Sequence, residues 1–116
     1  IIMQRLPKRI EAQTISVVGT PTTLCTIGAN AKGTISALSF INTDTVARTL
    51  TVHLVASGGS ISAANMVVSA RALAAGESWV CSPLIAATAD AGATIQCFSD
   101  VASKVNAVGA FYETTV

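Results

Sequence analysis

The sequence predicts an all-β fold: a single-domain antiparallel β-sandwich, jelly-roll-like, with about eight short strands. Three observations predict it. The stretch "TLTVHLV" places Leu50, Val52 and Leu54 on one face and Thr49, Thr51, His53 and Val55 on the other, a period of two that a helix would scatter around its circumference. Runs of this kind recur at short, regular spacing, separated by the turn signals "GTP", "GANAKG", "NTDT", "AAGE" and "ADAG", as in sandwiches and barrels. And 116 residues, with no internal repeat, suffice for one core.

Taken in order, residues 1–12 do not alternate and are expected to form an extended N-terminal arm, with Pro7 holding it extended. The sandwich domain is expected over 13–116. Its strands are predicted at 13–18, 22–27, 33–41, 49–55, 65–73, 78–85, 93–99 and 104–113. Two segments admit an alternative. "SISAANMVVSARALAAG" could be written as an Ala-rich helix capped by Asn65, but Val67 and Val68 are β-branched and favour a strand. "SPLIAATADAG" could hold one short helical turn in place of a strand end. Eight strands fit the jelly-roll count, although sequence does not fix their order.

Composition narrows the function classes. Hydrophobic residues make up 51% of the chain and charged residues 11%, against about 25% charged in ordinary soluble domains. Mean hydropathy is +0.61. Yet no apolar run approaches the roughly 18 residues of a spanning helix. The start, "IIMQRLPKRIEAQ", has its basic residues after a few apolar ones, so no secretory signal is expected. A net charge of +1 and 4% aromatics give neither the footprint nor the stacking platforms of a nucleic-acid binder. With so few charges, Ser, Thr, Asn and Gly must cover the outside, or another subunit must. The exception is the grouping of Arg5, Lys8 and Arg9, either a solvated tail or an arm that docks on an acidic neighbour.

Candidate chemistry is sparse. His53, the single histidine, lies on the more polar side of its strand and is expected at the surface or an interface. It lacks the nucleophile and orienting acid a general base needs, and the other imidazoles a zinc site would use. Cys25, Cys81 and Cys97 form no CxxC pair. Each is expected as a free, core-filling thiol, the alternative being a Cys81–Cys97 disulfide. The six carboxylates do not cluster by sequence as paired catalysis or a calcium loop would require. "ASGGSIS" lacks the Lys and spacing of a phosphate loop. Trp79 is expected in the core or at an interface, with a sugar platform as the alternative. No catalytic, cofactor-binding or metal-ligating residues are therefore assigned, and no enzyme activity is expected.

The succession "TLCTIGANAKGTISALSFINTDTVARTLTVHLVASGGSISAANMVV", "LAAGESWVCSPLI", "AGATIQCFSD" and "VNAVGAFYE" resembles small β-sandwich virion proteins of tailed bacteriophages. In those, a strand ending in Asn precedes a polar turn, an alternating strand, a Gly-rich turn and an "AGE" turn. The resemblance implies a structural role: a capsid cement or decoration protein, a homotrimer bound to the major capsid protein on the capsid exterior, made in the host cytoplasm. A tail, neck or baseplate adaptor is the alternative within the virion, and a carbohydrate-binding module the alternative outside it. For the cement role, the partner-binding residues are expected in the arm. Ile1, Ile2, Met3 and Leu6 would serve as apolar anchors, and Arg5, Lys8 and Arg9 would meet an acidic shell surface.

Overall fold

The computed structural model describes residues 5–17 and 19–115. Nine strands follow in order: β1 (Arg5–Thr14), β2 (Thr22–Thr26), β3 (Ala31–Asn42), β4 (Arg48–Val55), β5 (Met66–Leu73), β6 (Ser78–Val80), β7 (Thr88–Ala89), β8 (Thr94–Ser99) and β9 (Val105–Thr115). The helical content among the described residues is two 3₁₀ turns, Ala63–Asn65 and Ser82–Leu84. Two antiparallel sheets result, ordered β1-β9-β3-β6 and β2-β8-β4-β5, with β7 also on β3.

The pairing has a simple logic. β4 pairs with β5, β3 with β6 and β7, β2 with β8, and β1 with β9, so the chain is one long ribbon folded back on itself. Rolling that ribbon brings β9 against β3 and β8 against β4. This is a jelly roll. Its sixth strand is broken in two: β6 and β7 lie on the same edge of β3, separated by the Ser82–Leu84 turn. Across the break, Cys81 N–H donates to the Leu38 carbonyl at 2.9 Å and Ala86 N–H to Ile35 at 2.8 Å. Pro83 sits in this turn, where its missing N–H costs the ladder nothing.

Alternation builds the core. Ile10, Ile35, Leu38, Phe40, Val105, Ala107 and Phe111 come from the first sheet, and Leu24, Leu50, Val52, Val68, Leu73, Ile95 and Cys97 from the second. Gly109 lies where no side chain fits, because a Cβ there would fall on the Ala37 carbonyl oxygen. That carbonyl is pushed toward β9 by the register shift between Ile35 and Ala37.

Three expectations change. The strand expected over 13–18 is only the end of β1, which stops at Thr14; Ile15 to Val17 form the corner between the sheets, and Val18 lies outside the described residues. Ile15 N–H bonds Val105, and Ser99 N–H bonds Ser16. From Arg5 onward, the segment expected as an arm does not stand clear of the sandwich, because Arg5 to Ile10 pair residue for residue with Thr114 to Gly109, and residues 1–4 lie outside the described residues. The boundary expected after residue 12 thus falls inside β1. Alternation failed to reveal this strand because β1 is an edge of sheet and hardly covered, with Ile10 its one fully buried residue. The third change is at 78–85, where the expected strand is three residues followed by the 3₁₀ turn. At 65–73 the strand reading holds over Met66–Leu73, and Asn65 ends a 3₁₀ turn instead of capping a helix.

Candidate interaction surface

The side chains with chemical potential are occupied by the fold. His53 is 3% exposed, not at the surface as alternation implies. Its Nδ1 donates to Asn65 Oδ1 at 2.7 Å, and Phe98 stacks beside its ring at 6.1 Å. Asn65 is itself fixed, donating to the Ser60 carbonyl and accepting the Ser62 N–H. The β4–β5 connection therefore folds over a sheet face that sequence assigns to solvent. The three cysteines are free thiols. Burial pushes Cys25 and Cys81 up to about 11 and Cys97 to about 12, so none is a thiolate nucleophile at neutral pH.

Asp44 and Asp100, distant in sequence, converge on Arg48. Arg48 Nη2 lies 2.7 Å from Asp44 and Nη1 3.6 Å from Asp100. The Arg48 guanidinium, then the Thr45 N–H, hold Asp44 below the usual carboxylate range. For Asp100, burial raises the value, but the Thr49 N–H, the Ser99 hydroxyl and Arg48 outweigh it and leave it lowered. Two ionised acids clamped by one arginine tie loops together and are no acid–base pair. Among the described residues, no three of His, Cys, Asp and Glu gather closely enough to hold a metal ion. A cavity of about 450 Å³ lies between Leu54–Ser57 and Thr88–Ala93, with Asp90 the single charge on its wall. Trp79 packs against Phe40, and the Arg71 guanidinium lies 4.4 Å over its ring, so a sugar would have to displace that cation.

What remains is surface. The outward face of the β1-β9-β3-β6 sheet can be read in rows from the register. At one end, Arg5, Thr114 and Lys32 lie side by side, then Pro7, Tyr112 and Thr34. Arg5 places its guanidinium 4.1 Å over the Tyr112 ring, and Arg9 follows beside Ala110. Further along come Val108, Ser39 and Val80, then Asn106, Ile41 and Ser78. Ile41, Val80 and Val108 are 38%, 57% and 46% exposed. Ile41 and Val108 rim a shallow depression of about 290 Å³ that also touches Ala12 and Ser78. Asn106 Oδ1, enclosed at its edge, has no hydrogen-bond partner.

The expected binding residues divide between the two faces of β1. Arg5 and Arg9 are on the outward face. Leu6 and Lys8 are on the opposite one, where Lys8 reaches Glu113 at 3.9 Å. Ile1, Ile2 and Met3 lie outside the described residues. Sequence reasoning missed Ile41, Val80, Val108, Lys32 and Tyr112. Parity would have put Val108 on the face away from Val105, but only the register reveals that the residues beside it are also apolar.

The class these features define is a jelly-roll β-sandwich with one partly apolar, partly basic sheet face. No protein-family model matches the chain, and no curated protein matches it. Among solved structures it is similar to a chain in the structure of infectious bursal disease virus Gx strain, at 14% identity and a TM-score of 0.53, over 99% of this chain. A second similarity, to the infectious bursal disease virus VP2 subviral particle, has 13% identity, covers 97% of this chain and has a TM-score of 0.44. The first supports the fold and nothing more; the second is too distant to add to it. The chain spans about a third of the length of the structures it matches, 33% in each case.

Proposed function

We propose that this chain is a non-enzymatic structural protein of a virus particle, of the cement or decoration type that binds the assembled head and stabilises it. The observation that carries the reading is the exposed apolar and basic sheet face on a jelly roll whose histidine is buried against Asn65 and whose Asp44 and Asp100 are clamped by Arg48. A protein of this kind works by binding alone. Whatever binds the assembled shell and not its separated subunits stabilises the shell by mass action, and a homotrimer would add three modest contacts through effective concentration. The major capsid protein is the proposed partner and the capsid exterior the proposed location. Arg5, Leu6, Lys8 and Arg9 of β1, with Ile1, Ile2 and Met3 ahead of them, form the proposed reach to the shell. A jelly roll hosts unrelated functions, so the shared fold with a chain of a virus structure is support of a general kind.

The test is to add the purified chain to expanded phage heads lacking a decoration protein, sediment them, and heat them. Co-sedimentation with saturable stoichiometry and a higher temperature of DNA release is the expected result. A chain left in the supernatant at all concentrations would remove the reading.

A further inference from the structure

The outward face of the β1-β9-β3-β6 sheet has a polarity that selects its partner. One end carries Arg5, Arg9 and Lys32 around Tyr112, and the other carries Val108, Val80 and Ile41. We infer that this face docks a different protein, whose matching surface is acidic at one end and apolar at the other, and that it does not pair with a second copy of itself. The inference rests on the binding role proposed above but not on the bound object being a head.

The charges decide between the two occupants. The paired outward positions of β1, β9, β3 and β6 carry three cations and no carboxylate, and Glu11, exposed in the β1 bulge opposite Val108, is an acid beside their apolar end. Glu113 belongs to the inner side, with Lys8 and the Gly28 N–H on it. Lys32 reaches Asp90 at 3.8 Å, with both side chains largely exposed, a pair of little consequence. A second copy would stack by a two-fold axis lying in the shared plane. If that axis runs along the strands, basic end meets basic end. If it runs across them, each set of three cations is pressed onto the other copy's valines and loses water with Glu11 as a single counter-charge. Both settings are unfavourable. A partner with carboxylates at one end and apolar side chains at the other satisfies both halves at once. The apolar end would supply the desolvated centre that holds interfaces together.

The edge of β1 is not the docking element. Pro7 offers no N–H, Lys8 and Arg9 follow it, and the register breaks between Ile10 and Gln13, the combination by which edge strands resist another strand. Side chains on the face, and not backbone on the edge, therefore carry the recognition.

Two probes test this on the full chain: a peptide alternating Asp or Glu with Val, and the same peptide with Lys replacing every acid. Binding is followed by amide chemical shifts. The acidic peptide should perturb residues 32–41 and 106–114, and weaken steeply as salt rises from about 0.05 to about 0.5 M. An Arg5→Glu/Arg9→Glu double variant should bind it at least about tenfold more weakly, and Val108→Lys should also lose binding. All three positions are exposed, and unchanged thermal melts would show these variants folded. Equal binding of the two peptides, perturbation elsewhere, or no binding would overturn the inference. So would concentration-dependent dimerisation that Val108→Lys abolishes, since it gives the face to a second copy. Peptide binding at this face without co-sedimentation on heads would leave the inference standing and remove the capsid reading alone.

Discussion

Asn42 ends β3 and is fully buried. Its Nδ2 donates to the carbonyls of Val46, Leu73 and Ala74 at 2.9, 3.0 and 3.2 Å, and its Oδ1 accepts the Asp44 N–H at 2.9 Å. One amide thus joins the β3–β4 loop to the end of β5. In a buried site, orphaned carbonyls cost about 1–3 kcal/mol each where water cannot reach them. Asn42→Ala is expected to lower the unfolding free energy by about 3 kcal/mol, read from the urea midpoint. Asn42→Asp keeps the shape but turns the donor into a charge facing three carbonyls, so at neutral pH it should be worse than Ala and should recover in part on acidification. An Asp variant as stable as wild type would show that shape and not donation matters here. The same residue shows where sequence is silent. "NTDT" reads correctly as a turn, but nothing local says that its first residue is a buried hub. His53 is the parallel case, since its cover comes from Asn65 and Phe98, residues on other elements.

Strand β1 decides how the N-terminal segment should be probed. Deleting residues 1–9 removes the pairing of Arg5 to Arg9 with Thr114 to Ala110 and bares β9, an apolar strand, as a new edge. That deletion is expected to cost about 2 kcal/mol and to promote aggregation on size-exclusion chromatography. A truncated chain that melts and elutes as wild type would show β1 to be dispensable to the sheet. Gly109, between β1 and β3 in the middle of β9, is a second test of the sheet. Gly109→Ala drives a methyl group into the Ala37 carbonyl and should cost about 1–3 kcal/mol by thermal denaturation; a neutral result would mean that the β3 bulge relaxes. Most of the sandwich was legible because the alternation that marks a strand is also what buries it: β3, β4, β8 and β9 fall where the pattern puts them. β1 was not, since an edge strand with one buried residue has little reason to alternate. The docking face was legible only in half. Arg5 and Arg9 stand out as a cluster in the chain, whereas Ile41, Val80 and Val108 come from three strands and meet only through register.

For the molecule as a whole, the few ionisable groups shape both limits of the pH range. Asp44 and Asp100 lie below the ordinary 3.8 in the folded chain. They therefore contribute stability that is present above that value and lost as pH falls through their folded values. The buried thiols act in the opposite direction. Cys25 and Cys81 stand at about 11 and Cys97 at about 12, against an ordinary 9.0. Unfolding releases groups that ionise more readily, so their contribution is complete below 9.0 and is lost as pH rises toward the folded values. Stability should consequently fall toward both the acid and the alkaline limit, with urea midpoints from about pH 2 to about pH 11 as the measurement. Arg48→Gln removes the guanidinium that depresses Asp44 most, so it should lower stability at neutral pH and flatten the acid limb, the two curves converging as pH falls below the folded values. An Arg48→Gln curve that merely shifts down at every pH would show the arginine acting through packing.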